Sequence, residues 1–364
     1  MQVSWLLDKK VDFWQSYIED TFTNYKNTYG NIRIDLFSGE EKYENKIPNK
    51  FKSNFFSIIF SKTDYENYYN YIWLKKNKVD ILHLKRSYLF PSILTLLKKS
   101  NRPKIIITLR GSDTYLWPWV SEKWKEFYSN KGYGIDAFIV QSRDQKEYAI
   151  KMGLPDQKIS IIPASLSKKK DIFIPKTIKK NKKVRIISIY RFTWQKNIQG
   201  NLLFIKKLRQ SIPNIEYNIY GKGDNLNSSQ IYYLADRLGI SDVINIKGTL
   251  SNDEMRKELI SNNYILQLSL SESLGVAILE AMQHGLIPIV SKIGGIQDIV
   301  ENNVTGIIED YYKIDKILSS FLKLNKNPLK YSLMSEACSK FVDEKFDNSI
   351  ESEKLYSLYK KLIQ

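Results

Sequence analysis

The sequence has little of the chemistry on which disulfide frameworks and metal centres depend. Its 364 residues include one cysteine, Cys338, and two histidines, His83 and His284. A single thiol excludes a disulfide scaffold and a cysteine-based metal cluster, and two histidines argue against a histidine-rich metal site. We expect His83, in an apolar run, to be buried and hydrogen-bonded, and His284 to lie at the C-terminal end of a helix.

Long hydrophobic runs are missing as well. No apolar run approaches the ~20 residues that a membrane-spanning helix needs. The opening residues, MQVSWLLDKKVDFW, contain no basic segment followed by a useful apolar segment, so no signal peptide is expected. The sequence therefore predicts a cytoplasmic protein.

Positive charge is what the sequence has in excess. Lys and Arg number 56 against 39 Asp and Glu, which gives a net charge of +17, and a hydrophobic fraction of 43% is enough for a sizeable core. The charge is spread along the chain instead of forming one basic arm. It would suit nucleic acid, an anionic membrane surface or phosphorylated substrates, and a compositional bias explains it equally well.

Short apolar runs alternate with helix-like stretches along the whole chain. Several runs are apolar throughout, which is typical of strands covered on both faces, so the order predicts βαβ units and mostly parallel sheets. The predicted strands are 3–7, 32–37, 55–60, 80–84, 104–109, 137–141, 184–190, 215–221, 243–248, 264–270, 287–292 and 305–310. The predicted helices are 11–27, 63–77, 88–100, 198–211, 229–239, 252–262, 276–285, 296–302 and 348–364.

A basic segment without a sustained period, residues 168–183, separates the two halves. At about 150 residues per domain, the length predicts two domains. We expect one Rossmann-like doubly wound domain over 1–167, a linker over 168–183 and a second such domain over 184–345. Ligands bind at the carboxyl ends of the strands in sheets of this kind, which predicts a central cleft between the domains.

The segment SLSESLGVAILEAMQHGLIPIVSKIGG, residues 269–295, carries the strongest functional signal. Gly275 permits a ligand to approach the backbone, and a helix is predicted to begin near Val276 with unpaired N–H groups that favour a phosphate. Glu280 is the single charge of this helix and needs donors such as ribose or sugar hydroxyls. Contact with solvent or with the end of a neighbouring helix is the alternative for Glu280, and equally for Glu272.

Glu272 and Glu280 are separated by seven residues within SESLGVAILEAMQHGLIPIV. This segment resembles the E-x7-E signature of the family 4 glycosyltransferases, and Gly275, the EAM triplet and Gly294–Gly295 strengthen the resemblance. It implies an α/β protein of the GT-B fold, with two Rossmann-like doubly wound domains that face a central cleft. It also implies a retaining enzyme (EC 2.4) that transfers a sugar from a nucleotide sugar to a hydroxyl acceptor. In the GT-B fold the last helix crosses back to the first domain, which is expected here for residues 346–364.

The resemblance implies roles for the residues of the donor site. Glu272 would bind hydroxyls of the donor sugar, Glu280 the ribose, and Arg191 with Lys196, from RFTWQKN, the diphosphate. Fixed cations stabilise the charge that the leaving nucleoside diphosphate gains; two surface cations in a Lys-rich protein are the alternative. The other donor-binding residues implied by the resemblance are Leu274, Gly275, Val276, Gly221, Gly223, Lys247 and Gly248.

A UDP- or GDP-sugar is an expected donor, and no metal or other cofactor is expected. No Asp-x-Asp motif occurs in the chain, so metal-bridged binding of the diphosphate is not indicated. Cationic side chains and a helix N-terminus would take that role. In the family the leaving phosphate is thought to accept the proton of the acceptor, so no separate general base is assigned.

The acceptor is expected near TLRGSDTYL, residues 108–116, with Arg110, Gly111 and Asp113 as candidates. Many members of the family have a histidine where this sequence has Arg110, which suggests an anionic group on the acceptor. Asp113 would orient sugar hydroxyls or, alternatively, cap the following turn. The early glycine-rich loop of the family is missing.

A glycan or lipid-linked intermediate of cell-surface polysaccharide synthesis is the expected acceptor. The basic and aromatic segments 68–78 and 89–104 would rest on an anionic membrane, with Trp73 or Phe90 at the interface, and the enzyme would then be peripheral on the inner face of the plasma membrane. An amphipathic helix packed on its own sheet is the alternative.

Other functions stay open at this point. A sugar-nucleotide epimerase would share the fold, and an inactive glycosyltransferase-like scaffold need not retain both acids and both cations. A nucleic-acid-binding protein would use the +17 charge and the 13% aromatic residues. No nucleic acid is expected as a partner, because no recognition motif is evident.

Overall fold

The computed structural model describes residues 1–7, 16–36, 78–167, 173, 175–178 and 182–364. The chain forms two compact units: unit 1 consists of Met1–Ala164 and Asn348–Gln364, and unit 2 of Ser165–Asp347. The predicted strand 55–60 and helix 63–77 lie outside the described residues. Within the described ranges, no helix combines the length and the apolar character needed to cross a membrane.

Unit 1 is built on a parallel sheet of six strands in the order β2-β1-β3-β4-β5-β6. The chain leaves β1 for β2 on one side and later returns to β3 on the other, so the strand order reverses between β1 and β3. The strands are β1 (Val3–Leu7), β2 (Ile32–Leu36), β3 (Ile81–Leu84), β4 (Lys104–Thr108), β5 (Ala137–Val140) and β6 (Ile159–Ile161). The helices that the structure describes before residue 165 are α1 (Ser16–Tyr29), α2 (Leu94–Leu97), α3 (Ser112–Tyr115), α4 (Trp117–Val120), α5 (Glu122–Ser129) and α6 (Arg143–Lys151).

Unit 2 repeats this plan with a parallel six-stranded sheet in the order β12-β11-β10-β7-β8-β9. Here the strand order reverses between β7 and β10. The strands are β7 (Val184–Ile189), β8 (Ile215–Tyr220), β9 (Ile244–Lys247), β10 (Tyr264–Gln267), β11 (Ile287–Ser291) and β12 (Ile307–Glu309). The helices are α7 (Ile198–Ser211), α8 (Asn225–Leu238), α9 (Asn252–Ser261), α10 (Val276–Gln283), α11 (Ile296–Ile299), α12 (Ile314–Asn325) and α13 (Pro328–Lys345).

The central strands of unit 2 are covered on both faces. Ile186 and Ile187 are adjacent on β7 and point to opposite faces, and both are fully buried. Ile186 belongs to a core that includes Tyr217, Leu266 and Phe204. Burying side chains of this size contributes about 1.5–3 kcal/mol each, which explains why the runs are apolar throughout.

The C-terminal helix, α14 (Asn348–Ile363), belongs to unit 1 and packs on α1. The hydroxyl of Tyr359 accepts a hydrogen bond from Nε1 of Trp5 (2.9 Å) and lies 2.6 Å from Nδ1 of His83. Tyr29 and Tyr356 stack with their ring centroids 4.2 Å apart. The end of the chain thereby completes the core of the unit that contains its beginning.

His83 is fully buried, and its Nε2 lies 2.7 Å from Oγ1 of Thr108. Burial, together with the positive charges of Lys85 and Arg110, holds the pKa of His83 well below its ordinary value. The expectation of a buried, hydrogen-bonded histidine is confirmed, and the ring is neutral at physiological pH.

Several local expectations need correction. The segment predicted as the helix 88–100 forms the 3-10 helix Ser87–Ile93, which contains Pro91, followed by the single turn α2. Proline removes a backbone donor, which prevents a regular helix there. The helix predicted at 229–239 begins at Asn225 instead, because the carboxylate of Asp224 accepts from the N–H of Asn227 (2.7 Å) and caps it.

The segment 89–104 packs into unit 1. Phe90 is 1% exposed, and its ring centroid lies 5.0 Å from that of Trp124 and 4.7 Å from that of Phe127. A role for Phe90 at a membrane interface is therefore wrong, and packing on the domain's own core is what the structure has. Trp73 and nearly all of the segment 68–78 lie outside the described residues.

Candidate functional site

Three loops of unit 2 are tied together at the carboxyl ends of β10, β7 and β8. The N–H of Leu270 donates to the carbonyl of Gln195 (2.7 Å), and the N–H of Phe192 donates to the carbonyl of Lys222 (2.9 Å). Nδ2 of Asn197 donates to the carbonyl of Leu268 (2.9 Å). The order of the strands reverses between β7 and β10, and ligands of open parallel sheets bind at such a point.

Two residues predicted to be catalytic meet at this point. Nζ of Lys196, from the loop after β7, forms an ion pair with Oε2 of Glu272, from the loop after β10. The two side chains are 17% and 14% exposed, so solvent screens the pair only in part. Nε2 of Gln267 donates a further hydrogen bond to the same carboxylate oxygen (3.1 Å).

Glycines fix the backbone around Glu272. The φ angle of Gly294 is +46°, and a Cβ atom there would lie 2.1 Å from the carbonyl oxygen of Glu272. The N–H of Gly295 donates to that oxygen (3.0 Å). Glycine at position 294 is needed for this close approach of two backbone segments.

Helix α10 begins next to Glu272 without a side-chain cap. Its N-cap, Gly275, has a φ angle of +95°, and the carbonyl of Gly275 accepts from the N–H groups of Ile278 (2.9 Å) and Leu279 (3.2 Å). Among the described residues, the N–H groups of Val276 and Ala277 have no hydrogen-bond acceptor. Leu274 and Gly275 are buried, so these donors point from a packed loop and favour an anion.

Glu280, on the same helix, keeps a partly exposed side chain. Burial raises the pKa of Glu280 to about 7. Within the part of the chain that the structure describes, its carboxylate has neither a hydrogen bond nor an ion pair. His284 caps the C-terminal end of the helix, as expected for that histidine. Its Nδ1 lies 2.8 Å from the carbonyl oxygen of Glu280.

Arg191 follows β7 and is exposed. With the described residues, its guanidinium forms no hydrogen bond and no ion pair, which leaves it available to a ligand. No contact among these residues joins Arg191 or Glu280 to the pair of Lys196 and Glu272. Of these four residues, the structure brings only Lys196 and Glu272 into contact; Arg191 follows β7 and Glu280 lies on α10.

The remaining predicted donor residues form the loops after β8 and β9. Gly221 has a φ angle of +141°, and a Cβ atom there would lie 1.8 Å from the carbonyl oxygen of Tyr190. The N–H of Gly221 donates to the carbonyl of Gly248 (3.3 Å), while a Cβ atom on Gly223 would lie 2.7 Å from Cβ of Phe192. These glycines let neighbouring loops pack closely.

Lys247 ends β9, and its ammonium is engaged within the unit. Its Nζ donates to the hydroxyl of Tyr220 (2.8 Å) and lies 3.7 Å from Oε1 of Glu258. A contact of Lys247 with the donor stays a prediction, and with its ammonium engaged in this way it would have to come from backbone atoms. Tyr220 was not among the predicted site residues.

In unit 1, the carboxylate of Asp113 is 2% exposed and caps the turn in which it lies. It accepts hydrogen bonds from the N–H groups of Arg110 (2.8 Å) and Gly111 (2.8 Å) and from the hydroxyls of Ser87 and Thr114. Burial raises the pKa of Asp113, which these donors oppose. The carboxylate is therefore used within the protein, and the backbone N–H groups that it accepts from precede it instead of belonging to the following turn named in the alternative.

Two cations lie close together at the carboxyl ends of β3 and β4. Lys85 is 2% exposed, burial lowers its pKa to about 8, and the charge of Arg110 acts in the same direction. Glu351, on α14, lies 3.7 Å from Nζ of Lys85 and partly balances its charge. Two acids, Glu351 and Asp113, thus lie among the two cations at this end of the sheet.

Sequence reasoning missed two polar residues that hold the site together. Gln267 contacts Glu272, and Asn201 accepts from the N–H of Leu268 (2.9 Å) through Oδ1 and donates to the carbonyl of Lys196 (3.1 Å). Both are fully or nearly fully buried within apolar segments. A polar side chain in such a run is the signal that would have found them.

Comparison with known families matches each half of the chain to a glycosyltransferase. Residues 169–341 match the sequence model described as "Glycosyl transferases group 1". Residues 43–166 match the model described as "Glycosyltransferase Family 4". Together the two matches span well over half of the chain.

Individual relatives are distant. The chain is 24% identical to an uncharacterized 41.2 kDa protein in the cps region of Klebsiella pneumoniae, over 79% of this chain and 80% of that protein. It is also 24% identical to the UDP-Gal:alpha-D-GlcNAc-diphosphoundecaprenol alpha-1,3-galactosyltransferase of Escherichia coli, over 79% and 77% of the two chains. For two other curated relatives, the match covers less than two thirds of the relative's length: 39% for one and 60% for the other.

Solved structures show the fold. Sucrose-phosphate synthase of Thermosynechococcus elongatus superposes with a TM-score of 0.78 at 15% identity, over 100% of this chain and 99% of that one. Both sheets of this chain are parallel and doubly wound, as in the GT-B fold. The chain therefore belongs to the family 4 (group 1) glycosyltransferases and has the GT-B fold.

Proposed function

We propose that this glycosyltransferase moves a sugar, with retention at the anomeric carbon, from a nucleotide sugar to a hydroxyl of a lipid-linked or polysaccharide intermediate in cell-surface glycan synthesis. The observation that carries the proposal is the pair formed by Lys196 and Glu272 where the strand order of unit 2 reverses. A cation and an acid at this point suit the diphosphate and the hydroxyls of an activated sugar.

Each part of the nucleotide sugar would have its own partner in unit 2. Lys196, Arg191 and the N–H groups at the start of α10 would bind the diphosphate, and Glu280 would accept hydrogen bonds from the ribose. Glu272 has one carboxylate oxygen, Oε1, without a described hydrogen bond, and this oxygen would accept from a hydroxyl of the donor sugar. Hydrogen bonds of this kind to a charged group contribute about 1.5–3 kcal/mol each.

In the proposed transfer, the bond between the anomeric carbon and the phosphate oxygen breaks, and a bond to the acceptor oxygen forms on the same face. The departing diphosphate gains negative charge, which the fixed cations stabilise more strongly in the transition state than in the ground state. The proton of the acceptor hydroxyl passes to the departing phosphate oxygen. No side chain is assigned as a general base.

Unit 1 is proposed to bind the acceptor. Support comes from Arg110, which follows β4 at the carboxyl end of the sheet and whose guanidinium suits a phosphorylated acceptor. The name of the relative from Escherichia coli specifies a sugar linked to diphosphoundecaprenol as its acceptor. An acceptor of that class would bring the enzyme to the inner face of the plasma membrane.

A thermal-shift screen against nucleotide sugars and nucleoside diphosphates tests the proposal. A ligand at ~100 times its dissociation constant stabilises the folded state by about 2.7 kcal/mol, so the true donor raises the melting temperature by several degrees. The responding nucleotide sugar, labelled in its sugar, is then incubated with membrane lipid extract, and the anomeric configuration of the product is determined by NMR. The absence of a shift with every nucleotide, or an inverted product, would contradict the proposal.

A further inference from the structure

We propose that Gln267 is a positioning residue for Glu272. Its amide holds one oxygen of the Glu272 carboxylate in place, so that the other oxygen stays aimed at the donor sugar when Lys196 turns to the diphosphate. The inference rests on the proposed function, because it assigns Glu272 to the sugar hydroxyls.

The contacts define how the carboxylate is held. Oε2 of Glu272 receives Nζ of Lys196 and Nε2 of Gln267, the latter at 3.1 Å. Oε1 receives no hydrogen bond from the residues that the structure describes. One oxygen is therefore pinned by two donors while the other remains free to accept, and the plane of the carboxylate is set by the pinned side.

Gln267 suits this role because its amide has little freedom. It is the last residue of β10 and 1% exposed, so its side chain lies in packed surroundings instead of solvent. The orientation of the amide is fixed by charge: turned over, it would place Oε1 of Gln267 against the Glu272 carboxylate, and two acceptors repel. A bond from a neutral amide to a carboxylate is charge-assisted.

Unsatisfied polar atoms surround the same pair. Oε1 of Gln267, Oγ of Ser269 and Oε1 of Gln195 are buried without a hydrogen-bond partner among the described residues. These are all the buried side-chain atoms of this kind in the described part of unit 2, and all three lie in or beside the loops that carry Lys196 and Glu272. Unpaired buried polar groups are costly, and their concentration here is typical of a site prepared for a ligand.

Donor binding makes the contribution of Gln267 decisive. Lys196 is proposed to bind the diphosphate, which competes with Glu272 for its ammonium. Once the ammonium has moved, Gln267 is the remaining described side chain that holds Oε2 of Glu272. Its loss should therefore affect the reaction more than the binding of the nucleotide.

The test is a double-mutant cycle on the full-length enzyme with Gln267→Leu and Glu272→Ala, measured by steady-state kinetics with the donor found in the screen. Gln267→Leu is expected to lower kcat about 10- to 100-fold while the KM for the donor changes less than about threefold. Because Gln267 acts through Glu272, the double variant is expected to be no slower than Glu272→Ala alone. Gln283→Leu, another buried glutamine of unit 2 whose amide donates to the carbonyl of Ser167 (2.9 Å), is the matched control and is expected to keep wild-type rates.

A second variant guards against a simple folding defect. In Gln267→Glu, the introduced carboxyl group is isosteric with the amide; it donates to Glu272 when protonated and repels it when ionised. Glu272 is the charged group that contacts this position, and Lys196 is paired with the same oxygen of Glu272. The activity of Gln267→Glu relative to wild type is expected to rise at least about fivefold as the pH is lowered from 8 to 6, which a structural role alone would not produce.

The outcomes separate the two hypotheses. Wild-type activity in Glu272→Ala would overturn the proposed role of Glu272 and, with it, this inference. A strong loss in Glu272→Ala, combined with wild-type kinetics in Gln267→Leu or with effects that multiply in the double variant, would overturn the inference and leave the proposed function standing. A flat pH ratio for Gln267→Glu would also count against it.

Discussion

The ammonium of Lys196 and the carboxylate of Glu272, 76 positions apart in the sequence, form an ion pair across the loops that follow β7 and β10. Each residue neutralises the charge of the other. Under the proposed function, a diphosphate that binds Lys196 would replace this carboxylate as the partner of the ammonium. The pair would then link recognition of the diphosphate to recognition of the sugar.

The cations of the donor site give the first prediction. Lys196→Ala and Arg191→Ala are each expected to lower kcat/KM by about 100-fold. A group that stabilises developing charge lowers the activation barrier by roughly 3 kcal/mol, and its loss raises the barrier by that amount. Steady-state kinetics with the identified nucleotide sugar measures the effect.

Lys207→Ala is the matched control for the cations. Lys207 lies on α7, is 42% exposed and pairs with Asp315 on the surface, so its loss is expected to change kcat/KM less than twofold. Equal losses in all three variants would indicate a general effect of net charge and contradict specific roles for Lys196 and Arg191.

The glycine pair behind Glu272 gives the second prediction. Gly294→Ala is expected to lower both the melting temperature and the activity, because the new Cβ atom would lie 2.1 Å from the carbonyl oxygen of Glu272. Gly239 has a similar left-handed backbone, with a φ angle of +67°, but no atom within 4 Å of an added Cβ. Gly239→Ala should therefore lower the free energy of unfolding only by the backbone strain, about 1 kcal/mol, and keep full specific activity. An equally small effect of Gly294→Ala would contradict the steric argument.

Much of the fold follows from short-range patterns in the sequence. Strands such as β7 and β10 are buried on both faces, so they had to be apolar throughout, and the run of apolar residues located them. The strand β6 escaped prediction because it has three residues, Ile159–Ile161, too few to establish a pattern. Helix ends depended on single caps, and the cap by Asp224 placed one start four residues before the predicted 229.

The candidate site was only partly predictable, for a different reason. The spacing of Glu272 and Glu280 and the loop RFTWQKN identified the acids and cations, because they lie in contiguous motifs. The contact between Lys196 and Glu272 depends on the order of the strands, which no local pattern encodes. Gln267 belongs to no motif, and its proposed role depends on a side-chain contact with Glu272.

The anchor of the C-terminal helix gives the third prediction. Tyr359→Phe removes the hydroxyl that accepts from Trp5 and lies 2.6 Å from Nδ1 of His83, and leaves both partners buried without it. A loss of about 1–3 kcal/mol in the free energy of unfolding is expected, because an unsatisfied buried group retains its desolvation cost. Chemical denaturation measures this value. Tyr356→Phe is the control, because Tyr356 stacks on Tyr29 and is partly exposed. It should change the free energy of unfolding by less than about 0.5 kcal/mol. Equal effects would contradict the role of the Tyr359 hydroxyl.

Glu280 gives a fourth prediction, first for stability. Its pKa is about 7 in the folded protein against 4.5 for an unperturbed glutamate, so the folded state holds an additional proton between these values. Stability at this site therefore decreases as the pH rises from about 4.5 to about 7. Glu280→Gln removes the ionisation and is expected to be more stable than wild type at pH 8, by about 1–3 kcal/mol, and nearly equal to it at pH 4.5. Melting curves at the two pH values check this.

The same carboxylate should make donor binding depend on pH. If ribose hydroxyls donate to ionised Glu280, binding lowers its pKa and releases a proton, so the affinity for a nucleotide sugar is expected to rise about tenfold between pH 6 and pH 8. A nucleotide sugar is the suitable probe, because its diphosphate has no ionisation in this range. In Glu280→Gln the affinity should be lower at pH 8 and should no longer vary with pH. Isothermal titration calorimetry in two buffers of different ionisation enthalpy measures the affinity and the number of protons released. A wild-type affinity that stays constant from pH 6 to pH 8 would contradict a contact between the ribose and Glu280.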